Sequence, residues 1–142
     1  MNKKLSVAVF LVCASIFAGT SAWAGDEGEE PTTTIEVKAA SDLVAGNENA
    51  VILDVRTPLE YQASHIPGAI NVNVQDETFA DMVTALDPQK TYVVHCTKNP
   101  ADGRSSRALE TLKSLGFKNL YSLEGGYVAW KEAELPLTEE TN

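Results

Sequence analysis

Two apolar runs, Val51-Ile-Leu-Asp-Val55 and Thr91-Tyr-Val-Val-His95, constrain the fold of this chain more than any other feature. Both are short, rich in β-branched residues and almost without polar alternation, the pattern of strands buried on both faces of a parallel sheet. The segments around them alternate in character. Thr34 to Val37 reads as a short strand, and Ser41 to Ala45 as a one-turn helix capped by Ser41 and ended by Gly46. Pro58 opens a helix through Ala63, Ile66-Pro67-Gly68 has the composition of a type II turn, and Ala69 to Val72 resumes a strand. Phe79, Met82, Val83 and Leu86 recur at helical spacing before Pro88. Ala108, Leu109, Leu112 and Leu115 form one apolar helix face closed by Gly116. Leu120 to Leu123 is a fifth strand, and Gly125-Gly126 turns into a helix over Tyr127 to Glu134. Strands alternating with helices predict an α/β fold: an open five-stranded, mostly parallel sheet with helices on both faces, over residues 34–137. Residues 138–142 read as a polar tail.

The first residues read as a targeting segment. Lys3 and Lys4 precede an apolar stretch from Leu5 to Ala18, and Ala22-Trp23-Ala24 supplies a small-residue cleavage site. The stretch is short of the roughly 20 residues a membrane span needs. Val12 ahead of Cys13 is not the small residue expected before a lipid-modified cysteine. Residues 1–24 are therefore expected to be a cleaved secretory signal, with no membrane anchor, and the protein to be periplasmic or secreted. Residues 25–33 follow as an acidic linker. Cleavage would leave about 118 residues, enough for one domain with a core. It would also remove Cys13, leaving Cys96 as the single thiol in an oxidising compartment. The formal charge of −9 becomes about −11 without the two lysines, which argues against nucleic acid as a partner.

Chemistry is expected at Cys96. It ends the fourth strand, and a loop of Thr97, Lys98, Asn99, Pro100, Ala101, Asp102 and Gly103 leads to a helix that opens Arg104-Ser105-Ser106-Arg107. A thiol between a strand end and a helix N-terminus sits among backbone N–H groups that favour the thiolate. Lys98, Arg104 and Arg107 add positive charge where an anionic substrate would rest. In an open parallel sheet, ligands bind at the carboxyl ends of the strands. Asp54, Cys96 and Glu124-Gly125-Gly126 all fall on that edge. His95 neighbours Cys96 in a strand, so its side chain is expected on the opposite face, in packing. Asp54 is read as orienting loop N–H groups, Arg56 as pairing with Glu60 four residues on, and His65 as fixing the Ile66-Pro67-Gly68 turn by hydrogen bonding. Trp130 and Tyr127 read as core and pocket wall. No residue cluster has metal-ligand spacing, and no cofactor is implied.

Four ordered motifs carry a resemblance. Leu53-Asp-Val-Arg-Thr-Pro-Leu-Glu-Tyr61, His65-Ile-Pro-Gly-Ala69, Cys96 with Arg104-Ser105, and Leu123-Glu-Gly-Gly-Tyr-Val-Ala-Trp130 resemble a single-domain rhodanese, a sulfurtransferase. The resemblance implies a catalytic cysteine at Cys96 that carries sulfur as a persulfide, and a loop arginine at Arg104. The donor would be thiosulfate, a thiosulfonate or a persulfide, and the acceptor a thiol, cyanide or a sulfur-accepting protein. The loop departs from the family: seven residues separate Cys96 from Arg104 where four are usual, and related phosphatases and arsenate reductases have five. The added length predicts a wider cradle for bulkier substrates. Competing readings are a non-catalytic sulfur carrier or interaction module, and a phosphatase- or arsenate-reductase-like anion enzyme.

Overall fold

The computed structural model describes residues 31–100 and 103–139. The expected signal peptide and most of the acidic linker lie outside the described residues, as do Ala101, Asp102 and residues 140–142. In chain order the elements are β1 (Thr33–Ile35), α1 (Val37–Gly46), β2 (Ala50–Asp54), α2 (Pro58–Ala63), β3 (Ser64–His65), β4 (Ile70–Asn71), α3 (Phe79–Val83), β5 (Thr91–His95), α4 (Arg104–Ser114), β6 (Leu120–Leu123), α5 (Gly126–Glu132) and β7 (Thr138–Glu139). Five strands form one sheet in the order β1-β6-β5-β2-β4, every neighbouring pair parallel. The two apolar runs are its centre: β2 and β5 pair from Ala50 opposite Thr91 to Asp54 opposite His95. The chain therefore has the expected five-stranded parallel α/β architecture.

Strand alternation divides the core in two. On one face Leu53, Val55, Tyr92, Val94 and Cys96 pack with Phe79 and Val83 of α3 and with Ala108, Leu109 and Leu112 of α4. On the other, Ile52, Val93 and Leu123 pack with Ala40 of α1 and Trp130 of α5. Apolar side chains on both sides of a strand explain why β2 and β5 read as continuous runs.

Several boundaries differ from the sequence reading, each for a tertiary reason. The first helix begins at Val37 and not at Ser41, because Val37, Ala40, Leu43 and Val44 form a helical stripe packed on the sheet. Helix α3 ends at Val83. Ala85 and Leu86 then bond three residues back, to Met82 and Val83, in tightened turns. Leu115 is exposed, and Phe117 takes the core position beyond the helix. Thr138 and Glu139, read as tail, pair antiparallel with His65 and Ser64. Gly68 has φ +75° and the Ala69 N–H donates to Ile66 O at 3.1 Å, as a type II turn requires.

The end of β2 carries a buried ion pair. Asp54 Oδ2 accepts from Arg56 Nη2 at 2.6 Å, and Arg56 Nε lies 3.0 Å from both carboxylate oxygens. Asp54 Oδ1 also accepts the Arg56 backbone N–H at 3.0 Å. Arg56 reaches on to Ser64 O at 2.9 Å, and its guanidinium lies over the Tyr127 ring, 4.1 Å from the centroid. The expected pairing of Arg56 with Glu60 is thus corrected: Asp54, two residues back and buried beside it, takes the guanidinium. Removing one partner of a buried pair strands the other. Asp54→Ala is expected to lower the unfolding free energy by about 3–5 kcal/mol in urea titrations. A loss under about 1 kcal/mol would mean that Arg56 needs no buried anion.

Candidate active site

Cys96 follows β5 at the carboxyl edge of the sheet and is 3% exposed. Its Sγ lies 3.6 Å from Ser105 Oγ in the first turn of α4. Burial alone would push the thiol up. The Ser105 hydroxyl and the backbone N–H groups of Ser105, Asn99 and Lys98 outweigh it and hold the Cys96 pKa below the ordinary thiol value. Arg104, although bonded to Glu60, is also coupled electrostatically to Cys96.

Arg104 forms a fork on Glu60 of α2, with Nη1 to Oε2 at 2.7 Å and Nη2 to Oε1 at 3.0 Å. Nη2 also donates to Thr97 Oγ1 at 2.7 Å, and Thr97 Oγ1 donates to Glu60 Oε1 at 2.9 Å. Glu60 therefore holds both ends of the loop. Its Oε2 additionally accepts the Thr57 backbone N–H at 3.0 Å, closing a capping box at the start of α2. The Arg104 fork is the largest cause that keeps the Glu60 carboxyl well below the usual carboxylate range. Sequence reasoning gave Glu60 no site role. The Thr57-Pro-Leu-Glu60 capping pattern was visible, but not the loop it would meet.

The floor of the loop is backbone. Tyr127 N–H donates to Cys96 O and Val128 N–H to Thr97 O, both at 3.0 Å. Gly126 permits this approach: at φ +60°, its Cβ would stand 2.7 Å from Cys96 O and 3.0 Å from Thr97 O. Asn99 turns its carboxamide inward and accepts the Cys96 N–H at 2.6 Å, rather than offering it to a substrate. Gly103 N–H donates to Pro100 O at 3.0 Å, tying Pro100 to the start of α4.

His95 is fully buried, with Nδ1 on Cys96 O at 3.0 Å and Nε2 3.7 Å from Asp54 Oδ2. Burial is the largest influence and holds its pKa below the ordinary value, so it packs as a neutral ring behind the loop. His65 stacks on Tyr61 at 3.8 Å and bonds Tyr61 O through Nδ1 at 2.9 Å. Tyr61 in turn donates to Ala69 O at 2.7 Å, so His65 braces the turn through Tyr61. Lys98 and Arg107 are exposed. The structure thus joins Cys96, Thr97, Lys98, Asn99, Gly103, Arg104 and Ser105 in one loop and sets Asp54 and Arg56 behind it, while Ala101 and Asp102 lie outside the described residues. Among the described residues, no three His, Cys, Asp or Glu side chains cluster to hold a metal ion.

A nucleophile-ready thiol in an N–H loop at the edge of a five-stranded parallel sheet defines a class of protein, and comparison agrees. The rhodanese-like domain matches residues 36–133, and the chain belongs to that family. It is 38% identical over 114 residues to an uncharacterized protein of Synechocystis, covering 80% of this chain and 60% of that protein's length. It is 33% identical over 85 residues to the thiosulfate sulfurtransferase GlpE of Pseudomonas syringae, covering 59% of this chain and 74% of the relative. A rhodanese-related protein of Thermoplasma volcanium superposes with TM-score 0.65 at 28% identity, over 76% of this chain and 99% of that one.

Two outcomes follow from the geometry. Alkylation of Cys96 against pH is expected to inflect below the free-thiol value of about 8.5, and Ser105→Ala to move the inflection upward. No movement would remove the hydroxyl from thiolate stabilisation. The second concerns Glu60. A carboxyl depressed in the folded state adds stability above its unfolded value, about 4.3, and that stability is lost as the pH falls further. Glu60→Gln is expected to cost about 1 kcal/mol at pH 7, since the pair is partly solvated. The gap to the natural protein should shrink below about pH 4, whereas a gap constant with pH would contradict the linkage.

Proposed function

We propose that the protein is a sulfurtransferase that moves sulfane sulfur through a Cys96 persulfide. The observation that carries this reading is the buried Cys96 thiol, whose acidity is raised by hydroxyl and N–H donors at the sheet edge. The thiosulfate sulfurtransferase named among the relatives supports the same chemistry.

In the first half-reaction the Cys96 thiolate attacks the outer sulfur of a donor such as thiosulfate. The new S–S bond forms as the donor's S–S bond breaks, and sulfite departs with the electron pair. The loop N–H groups and the N-terminus of α4 take up charge on the donor, with Lys98 at the exposed rim. Arg104, already shared by Glu60 and Thr97, holds the loop ends in register rather than serving as a free cation. In the second half-reaction an acceptor thiolate or cyanide attacks the outer persulfide sulfur, and the Cys96 thiolate leaves. Ser105 and the loop N–H groups stabilise that leaving thiolate as they did the nucleophile. Persulfides of small thiols, or of a sulfur-carrying partner protein, suit the same steps. We assign the activity to the periplasm or extracellular space from the N-terminal lysines, apolar stretch and Ala22-Trp23-Ala24.

Incubation with thiosulfate or glutathione persulfide is expected to add one sulfur atom to the intact mass, and cyanide to remove it as thiocyanate. Cys96→Ser should fold and gain nothing. No gain in the natural protein with either donor would favour a non-catalytic module on this fold.

A further inference from the structure

We propose that Asn99 is the positioning residue of the Cys96 nucleophile: its carboxamide pins the first half of the loop to the strand ends, so the added loop residues leave the N–H groups at Sγ undisturbed. The proposal rests on reading Cys96 as the sulfur nucleophile, and what it adds is how the long loop presents that atom.

The carboxamide of Asn99 is fully engaged. Its Oδ1 accepts the Cys96 N–H at 2.6 Å. Its Nδ2 donates to Leu123 O at 2.7 Å, with Val94 O at 3.2 Å and Ser122 Oγ at 3.3 Å. Val94 and Leu123 lie near the carboxyl ends of the adjacent strands β5 and β6, so the side chain acts as one more rung between them. The backbone at Asn99 is left-handed, φ +50°, a conformation asparagine tolerates better than most side chains. This turn brings the Lys98 and Asn99 N–H groups to Cys96 Sγ. After Asn99 the loop has its own contacts: the Pro100 carbonyl accepts the Gly103 N–H at 3.0 Å and the Ser106 hydroxyl at 3.2 Å. The Asn99 side chain therefore ties the segment Cys96 to Asn99 to the strand ends, beside the contact of Thr97 with Glu60 and Arg104.

The test is Asn99→Gly, which keeps the left-handed backbone accessible and removes the carboxamide. Iodoacetamide alkylation of Cys96 should inflect about half a pH unit higher than in the natural protein. The kcat for sulfur transfer should fall about tenfold with donor KM nearly unchanged, because the nucleophile and not the donor site is displaced. A lower melting temperature with an unmoved inflection and an unchanged kcat would make Asn99 merely structural and overturn the proposal. Hydrogen exchange in the natural protein gives a reading independent of the variant's folding. The Cys96 amide should be protected, and exchange at the rate of an open loop would equally overturn it. Alkylation needs no sulfur donor. A shifted inflection in a protein that takes up no sulfur would therefore sink the sulfurtransferase reading and leave the placement of the thiolate by Asn99 standing.

Discussion

The site depends on the approach of the first turn of α5 to the backbone of the Cys96 loop. Two loop carbonyls, Cys96 O and Thr97 O, lie just beyond the end of the parallel strand β5. The N–H groups of Tyr127 and Val128 satisfy them. Those N–H groups are available because the first turn of a helix has no internal acceptor for them. The approach is close enough that any side chain at position 126 would collide with backbone, which cannot swing aside as a side-chain tip can. Glu60 fastens the loop from the side of α2, and Asn99 fastens it to the strand ends. The thiol is thus held from three directions by groups that themselves have little freedom.

Charge at the site is largely spent within the protein. Asp54 and Glu60 take the guanidinium groups of Arg56 and Arg104, and each pair has further hydrogen bonds to hold its geometry. An arginine at the N-terminus of α4 would otherwise oppose the helix dipole, and Glu60 offsets that. The hydrogen-bond donors at the thiolate are the Ser105 hydroxyl and three backbone N–H groups, and Arg104 adds an electrostatic attraction. The backbone N–H donors are already oriented before the reaction and need not reorganise as charge moves from sulfur to leaving group and back.

The central strands were legible because burial on both faces writes itself into a short stretch of sequence, as in Val51 to Val55. The position of Cys96 was legible because a strand end, a loop and a helix start succeed one another within a dozen residues. What escaped depends on partners distant in the chain. Glu60 meets Thr97 and Arg104 across 37 and 44 residues, and a helical i,i+4 rule offered it Arg56 instead. That rule failed because Arg56 precedes α2, where its side chain turns back to the buried carboxylate of Asp54. The pairing of Thr138 with His65 was hidden for the same reason: two exposed residues carry no periodicity. The inward turn of Asn99 was hidden because the same side chain suits any polar loop.

In the proposed mechanism Cys96 accepts one sulfur atom and holds it until an acceptor arrives. Mixing the protein rapidly with excess thiosulfate, with no acceptor present, and following sulfite tests this most directly. A burst of one sulfite per chain is expected, which then stops, resumes when cyanide is added, and is absent in Cys96→Ser. Sulfite that never appears, or that flows on without an acceptor, would contradict a Cys96 persulfide as the intermediate.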